Sequence, residues 1–304
     1  MPGPSDLAQM QSLPLEAKAI KSLQRIKEWL DWCDGNAYVS YSGGKDSEVL
    51  LHLVHQVDKN VPVVFFNTRM EFPEIVKHVK QKPNITIITP KYTPKQVIDR
   101  WGYPVVSKIV SQFVSEIRSP NTNEATKARR LYVGPNRRPM RYILPYKWRF
   151  LLDAPFKISD YCCNALKKNP AKSYEKRNKV TPFIGTKVED SISRRQSFYQ
   201  SGCNTFKAVR PQSRPLSFWT DKDIFQYIKE NNLPLCSIYG EITPEYTCTG
   251  YSSTGCVFCT FGAHMEPFPN RFQRLKQTHP KLWKVSLDTL GLRTVLDYIN
   301  VPYE

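Results

Sequence analysis

The first hundred residues alternate between two hydrophobic rhythms. From Leu15 to Trp32 the apolar positions Ala17, Ile20, Leu23, Ile26 and Leu30 keep helical spacing, and Asp34-Gly35-Asn36 closes the segment. Ala37 to Tyr41 is a short apolar run that reads as a strand. Asp46 to Val57 returns to the helical rhythm, with Leu50, Leu53, Val54 and Val57 on one face. Val61 to Asn67 is a continuous apolar strand of the kind a parallel sheet buries on both faces. Pro73 to Val79 predicts a helix, Ile85 to Thr89 a third strand, and Thr93 to Trp101 a helix with Pro in its first turn. Strands alternating with helices at this spacing predict an α/β fold with a doubly wound parallel sheet.

Beyond residue 106 the rhythm weakens. Residues 107–150 are basic, carry Pro120, Pro135 and Pro139, and read as an insertion. Thr181 to Gly185 predicts a further strand, followed by a polar, Gly-containing loop. Thr220 to Asn231 predicts a helix, with Thr220 as N-cap and Asp221 and Asp223 in its first turn. Residues 240–270 are loop-like, and Pro280 to Ile299 is helical in pattern. The expected division is a nucleotide-binding domain over 1–235 and a loop-rich, cysteine-containing C-terminal segment over 236–304.

Between the first strand and the next helix lies Tyr41-Ser42-Gly43-Gly44-Lys45-Asp46-Ser47. Paired glycines, hydroxyls and one Lys at a helix N-terminus suit an anion, because unpaired N–H groups and the helix dipole stabilise negative charge there. The loop is too short for a Walker A motif, which needs four residues between its first glycine and Gly-Lys. At the carboxyl end of the first strand it occupies the position where doubly wound sheets bind ligands. Ser42, Gly43, Gly44, Asp46 and Ser47 are candidate nucleotide contacts. Lys45 is the candidate catalytic charge, placed to stabilise negative charge developing on a phosphate group. Asp46 is a second catalytic candidate, through Mg²⁺.

Charge and cysteines extend the picture. The chain of 304 residues carries a net charge of +17, and Lys108 to Arg149 holds ten basic residues against two acids. This favours a polyanion-binding face, hence a nucleic-acid partner, over a merely solvated surface. No apolar run approaches a membrane span, and the first 15 residues lack a secretory pattern, so no membrane partner and a cytoplasmic location are expected. Eight cysteines in that setting point to metal or catalytic use. Cys256-Val257-Phe258-Cys259 and the adjacent Cys162-Cys163 can supply four thiolates, with Cys248 in reserve. Zinc and a [4Fe-4S] cluster both suit four thiolates, and the tandem pair is awkward for tetrahedral zinc. The alternative is a redox CxxC beside buried structural cysteines.

Ser42 to Ser47 resembles the PP-loop of ATP pyrophosphatases, which use ATP to place AMP on a substrate oxygen. Further segments resemble the phosphoadenosine phosphosulfate reductase family in the same order. They are Asn67-Thr68 with Pro73-Glu74, Gly185 to Ser191 with Arg194 and Arg195, Arg214-Pro215-Leu216 with Trp219-Thr220 and Asp223, and the two cysteine pairs separated by 92 residues. Phe261-Gly262 and Asn270-Arg271-Phe272 look most like the phage and mobile-element branch. The resemblance implies an adenine nucleotide alpha hydrolase-like fold. It implies nucleotide contacts from Asn67, Gly185, Lys187, Arg194 and Arg195, the last three equally readable as surface charge. It also implies a [4Fe-4S] cluster on Cys162, Cys163, Cys256 and Cys259.

Three departures matter. Asn67 replaces the family's Asp, Lys187 replaces its Arg, and no cysteine follows Cys259 where reductases keep a nucleophile. The loop is intact, whereas reductases usually have a degenerate one. The expected activity is therefore ATP-dependent adenylation for sulfur transfer to nucleic acid, as in DNA phosphorothioation or tRNA thiolation, with a cysteine desulfurase or another sulfur donor. The alternatives are reduction of a sulfonucleotide and a nucleotide-responsive DNA-binding subunit without catalysis.

Overall fold

The computed structural model describes residues 2–132 and 142–304. The chain divides into two compact units, each discontinuous in sequence. Unit 1 comprises Met1–Asn67, Glu71–Thr89 and Pro170–Gly255; unit 2 comprises Thr68–Met70, Pro90–Asn169 and Cys256–Glu304. This division does not follow a cut near 235. Residues 236–255 group with the sheet, and the described residues of 107–150 group with the C-terminal helices.

Unit 1 is built on four parallel strands, β1 (Ala37–Tyr41), β2 (Val63–Phe66), β3 (Ile85–Ile88) and β4 (Thr181–Ile184), in the order β3-β2-β1-β4. Val39 of β1 pairs with Val63 on one side and Phe183 on the other. The order fixes where a ligand belongs. The chain leaves β1 toward β2 and β3, then returns to β4 on the opposite side of β1. The carboxyl end of β1 is therefore the switch point of the sheet, where the flanking connections diverge and open a crevice. β1 and β2 are buried as their apolar runs require, while the edge strand β3 leaves Ile87 exposed.

Helices 15–32 and 45–57 pack in this unit, and the first shows how tertiary context adjusts a periodic pattern. Ile20 is exposed, and the buried stripe runs through Lys18, Ser22, Ile26 and Trp29. Lys18 reaches Asp223 at 2.8 Å, and Ser22 Oγ accepts the Trp219 indole N–H at 2.9 Å. Two polar side chains can stay buried there because each has a partner. The helix over Asp221–Glu230 starts as expected, with Thr220 Oγ1 accepting the Asp223 N–H. The segment after β4 differs from its expected loop: Ile192–Ser201 is a helix capped by Ser191. Only Phe198 of that helix is buried, so no apolar period announces it.

Unit 2 is helical among its described residues. The basic insertion contains helices Lys108–Arg118 and Glu124–Leu131, capped by Ser107 and Asn123, and a 3₁₀ segment Tyr146–Asp153. Arg137, Arg138 and Arg141, with Pro135 and Pro139, lie outside the described residues. The C-terminal helical pattern is broken into Pro280–Lys284, a π-turn Val285–Thr289 and Leu292–Tyr298, with Gly291 at φ +74° between the last two. No described helix is long and apolar enough to cross a membrane.

Candidate functional site

The Ser42–Ser47 loop is locked from several directions. Gly43 sits at φ +74°, and a Cβ there would lie 2.8 Å from Val79 Cγ2 and 2.9 Å from Ile75 Cγ2. Only glycine combines that left-handed conformation with such close packing. The Ser42 N–H donates to Ser47 Oγ at 3.2 Å, and the Ser47 hydroxyl donates to the Gly44 carbonyl at 2.8 Å. The Lys45 N–H, an otherwise orphaned donor of the helix start, goes to Tyr239 Oη at 3.1 Å, and Tyr239 in turn bonds Thr254 at 2.9 Å. Gly185, at the end of β4, packs on the loop, because a Cβ there would lie 3.1 Å from the Asp46 carbonyl oxygen.

Two buried lysines and three carboxylates meet beside the loop. Lys187 Nζ is ion-paired to Asp46, lies 3.2 Å from Asp190 Oδ1 and 3.1 Å from Asp221 Oδ1. Lys45 Nζ lies 3.0 Å from the same Asp221 oxygen and 3.4 Å from Asp46 Oδ2. The Lys187 side chain is 0% exposed. Burial lowers its pKa, but Asp46, Asp190 and Asp221 outweigh burial and leave it above the usual lysine range. Lys45 is raised too: burial and Lys187 lower it, Asp46 and Asp221 raise it. Burial pushes the Asp221 carboxyl up, but Lys187 and Lys45 bring it below the ordinary range. Arg194 pairs with Asp190 from outside, so the three carboxylates of the cluster face three cations.

Asp221 carries a part that its sequence position concealed. In the family-like segment, Asp223 is the residue that matches, yet the structure uses Asp223 to hold Lys18 and cap its own helix. Asp221 bridges both lysines, and its own N–H is tied to Glu189 at 2.8 Å. A Thr N-cap followed at once by an acid was its one sequence signal.

Behind the loop, Glu48 is buried among Tyr41, whose hydroxyl donates at 2.6 Å, His78 at 3.1 Å, and Lys82. Burial raises the Glu48 pKa, and the hydrogen bonds from His78, Lys82 and Tyr41 bring it below its ordinary value. This network joins helix 45–57 to helix 73–80, the helix whose Ile75 and Val79 press on Gly43.

The remaining nucleotide candidates stand further out. Asn67 follows β2 half-buried, its N–H bonded to the Ile88 carbonyl at 2.9 Å. Arg194 and Arg195 are exposed in the first turn of helix 192–201, and Arg194 pairs with Asp190. Cys248 belongs to unit 1, where its thiol donates to the Tyr251 carbonyl at 3.5 Å. Burial raises its pKa against the opposing charge of Lys45, so Cys248 sits in the electrostatic field of the loop lysine.

The four cysteines expected to bind metal all fall in unit 2. The Cys259 N–H closes on the Cys256 carbonyl at 3.1 Å, Arg271 holds the Cys259 carbonyl at 2.9 Å, and Val257 bonds to the Met70 carbonyl at 2.8 Å. A hydrogen bond to Cys163, burial, and the nearby Cys163, Cys259 and Cys256 together push the Cys162 thiol up. The same Cys162–Cys163 bond, opposed by burial and helped by Lys108, Lys167 and Lys168, draws Cys163 down to about 6. The four thiols thus share one electrostatic neighbourhood. Among the described residues no three His, Cys, Asp or Glu side chains are gathered at metal-binding spacing. In donor chemistry the set fits a four-thiolate centre; in spacing it is not closed around one.

A parallel sheet with a lysine-bearing glycine loop at its switch point defines a nucleotide-handling α/β protein. The family model described as the phosphoadenosine phosphosulfate reductase domain matches residues 36–103 and 121–261, and the chain belongs to that family. It is 27% identical over 278 residues to an adenosine 5'-phosphosulfate reductase of Chelativorans sp., covering 85% of this chain and 84% of the relative. It is 24% identical over 276 residues to an uncharacterized protein of Methanocaldococcus jannaschii; that match covers 89% of this chain but spans about half (52%) of the longer relative. A phosphoadenylyl-sulfate reductase structure from Candida auris, in a phosphate complex, aligns over 84% of this chain and 98% of its own, with 15% identity and a TM-score of 0.39.

Proposed function

We propose that this chain is a PP-loop ATP pyrophosphatase that activates an oxygen of a nucleic acid for replacement by sulfur. The carrying observation is the unbroken Ser42–Ser47 loop whose Lys45 shares Asp46 and Asp221 with the buried Lys187. In the proposed reaction the acceptor oxygen attacks the α-phosphorus of ATP and the bond to the bridging oxygen of pyrophosphate breaks. A sulfur nucleophile then expels AMP together with the acceptor oxygen.

Lys45 and Lys187 supply positive charge where pyrophosphate departs. The three carboxylates already engage Lys45, Lys187 and Arg194, so a polyphosphate entering the cluster brings charge that needs an added cation. Mg²⁺, which favours carboxylate and phosphate oxygens, would be held by Asp46. Cys162, Cys163, Cys256 and Cys259 would hold a [4Fe-4S] cluster, which when bound supplies sulfur-transfer or electron-transfer chemistry. A cysteine desulfurase or another sulfur donor completes the cycle. The test is to incubate the iron-loaded protein with Mg²⁺, α-labelled ATP and tRNA or DNA. AMP and pyrophosphate are the expected products, and no pyrophosphate with any nucleic acid overturns the reading.

The second reading is a sulfonucleotide reductase, favoured by the name of the Chelativorans relative. It requires sulfite release from adenylyl sulfate or its 3'-phosphorylated form in the presence of a thiol reductant, with ATP left intact.

A further inference from the structure

The division into units separates charge sharply. Unit 2 holds 23 Lys and Arg against 9 Asp and Glu, a net of +14; unit 1 holds 21 against 18, a net of +3. Most of the +17 therefore belongs to the helical unit, while the lysines of the nucleotide loop are already matched by acids in their own unit.

Within unit 2 the 3₁₀ segment carries Tyr146-Lys147-Trp148-Arg149-Phe150, in which aromatic and basic side chains alternate. Tyr146 is 85% exposed, and Phe150 is also exposed. The Arg149 guanidinium lies 5.5 Å from the Tyr146 ring centre, and the Lys147 ammonium 5.4 Å from that of Trp148. Trp148 meets His264 edge-on at 4.9 Å. Single exposed aromatics are ordinary. A strip of them interleaved with cations, on a unit of this charge, is a different feature.

We propose that this strip binds single-stranded nucleic acid. Phosphates attract the cations of either a duplex or a single strand. Only unpaired bases offer the π-faces that an exposed tyrosine can stack on, since a duplex hides its base faces in its own stack. The exposed Lys147 ammonium beside Trp148 is placed to meet a phosphate that flanks stacked bases, while the half-buried Arg149 guanidinium donates to the Leu131 carbonyl and lies over the Tyr146 ring. The inference rests on the reading that the acceptor is a nucleic acid and narrows it to a strand with unpaired bases, such as a loop or an opened duplex.

The test uses the full chain without ATP, fluorescein-labelled single-stranded RNA and DNA of about 20 nucleotides, and the matching duplexes, in anisotropy titrations across about 50–200 mM salt. Single strands are expected to bind more tightly than duplexes. Tyr146→Ala weakens single-strand binding by at least about fivefold, the lower end of what one stacked base contributes, and Tyr146→Phe restores it. Lys147→Ala lowers the salt slope by about 0.7. Both side chains are exposed, so neither change disturbs packing.

Equal affinity for duplex and single strand, or unchanged binding by Tyr146→Ala, overturns the proposal. So does self-association through Tyr146 without oligonucleotide binding, which assigns the strip to a protein partner. The two readings fail separately. Oligonucleotide binding through Tyr146 without pyrophosphate release leaves the strip and removes adenylation. Pyrophosphate release without oligonucleotide binding removes the strip and leaves ATP cleavage.

Discussion

Replacing Lys187 by Met tests the lysine–carboxylate cluster most directly. Methionine fills much of the same volume, so the buried stem is kept and the charge alone is lost. The lost ammonium faces three carboxylates whose side chains are 24%, 29% and 49% exposed, for Asp46, Asp190 and Asp221. Breaking a fully buried ion pair costs about 3–5 kcal/mol, because one charge is stranded. Here the stranded charges reach water, and Lys45 still neutralises part of them, so the cost falls to about 1–3 kcal/mol. Urea unfolding should show that loss as a lower midpoint with an unchanged slope.

The pH dependence has a definite sign. Lys187 is raised in the folded state, so its contribution is complete below the unfolded lysine value near 10.4 and is lost only as pH rises through the higher folded value. Asp221 is depressed, so its contribution is present above the unfolded value near 3.9 and is lost as pH falls through the lower folded value. In Lys187→Met, Asp221 loses one of its two cations, its folded value moves up toward the unfolded one, and the acid-dependent loss it contributes should shrink. Nucleotide-dependent pyrophosphate release should fall about 10- to 100-fold in kcat/KM, the worth of one charge-assisted contact. Adding Asp46→Asn should return part of the stability, since the pair is coupled. If Lys187→Met unfolds at the wild-type midpoint and keeps wild-type pyrophosphate release, the cluster is incidental to both fold and chemistry.

Three further outcomes are expected. Gly43→Ala forces a Cβ to within 3 Å of Ile75 and Val79 at a positive φ; thermal unfolding should register a loss of about 2–4 kcal/mol, with nucleotide binding weakened, and a wild-type melting curve refutes the packing account. Glu48→Gln keeps a partner for Tyr41 and His78 but leaves Lys82 without its carboxylate; it should cost about 1–2 kcal/mol near pH 7 and progressively less as pH falls through the lowered folded value of Glu48, so urea midpoints displaced from wild type by the same amount across that acid range contradict it. Cys256→Ser and Cys162→Ser should each lower iron bound per chain after anaerobic reconstitution, whereas Cys248→Ser, which lies in the other unit, should not; an equal drop for Cys248→Ser would make it a ligand.

Much of unit 1 was legible because its signals are local and strong. Helix Leu15–Trp32 and strand Ala37–Tyr41 keep their expected limits, and the glycine loop falls between strand and helix where its composition places it. The legible part ends where long-range partners decide. Nothing in the period of helix 15–32 says that Lys18 will be buried in place of Ile20, because the reason is Asp223, two hundred residues away. Helix 192–201 buries only Phe198 and so carries no apolar stripe to read. Lys187 was visible as a candidate cation, but its three acid partners come from the loop, its own turn and the start of a distant helix.

The same reasoning changes what the basic composition means. Ten basic residues from Lys108 to Arg149 favoured a polyanion face over a merely solvated surface. The nucleotide loop brings its own counter-ions: Lys45 and Lys187 are met by Asp46, Asp190 and Asp221, and unit 1 is left with a net of +3. The +14 of unit 2 is separate from this matched set, and its described cations near the aromatic strip, Lys147 and Arg149, lie against rings. Charge concentrated in that way raises the affinity for a polyanion and steepens its salt dependence. The two units thus carry two separate charge designs, a matched one around the Ser42–Ser47 loop and an excess of cations on the helical unit.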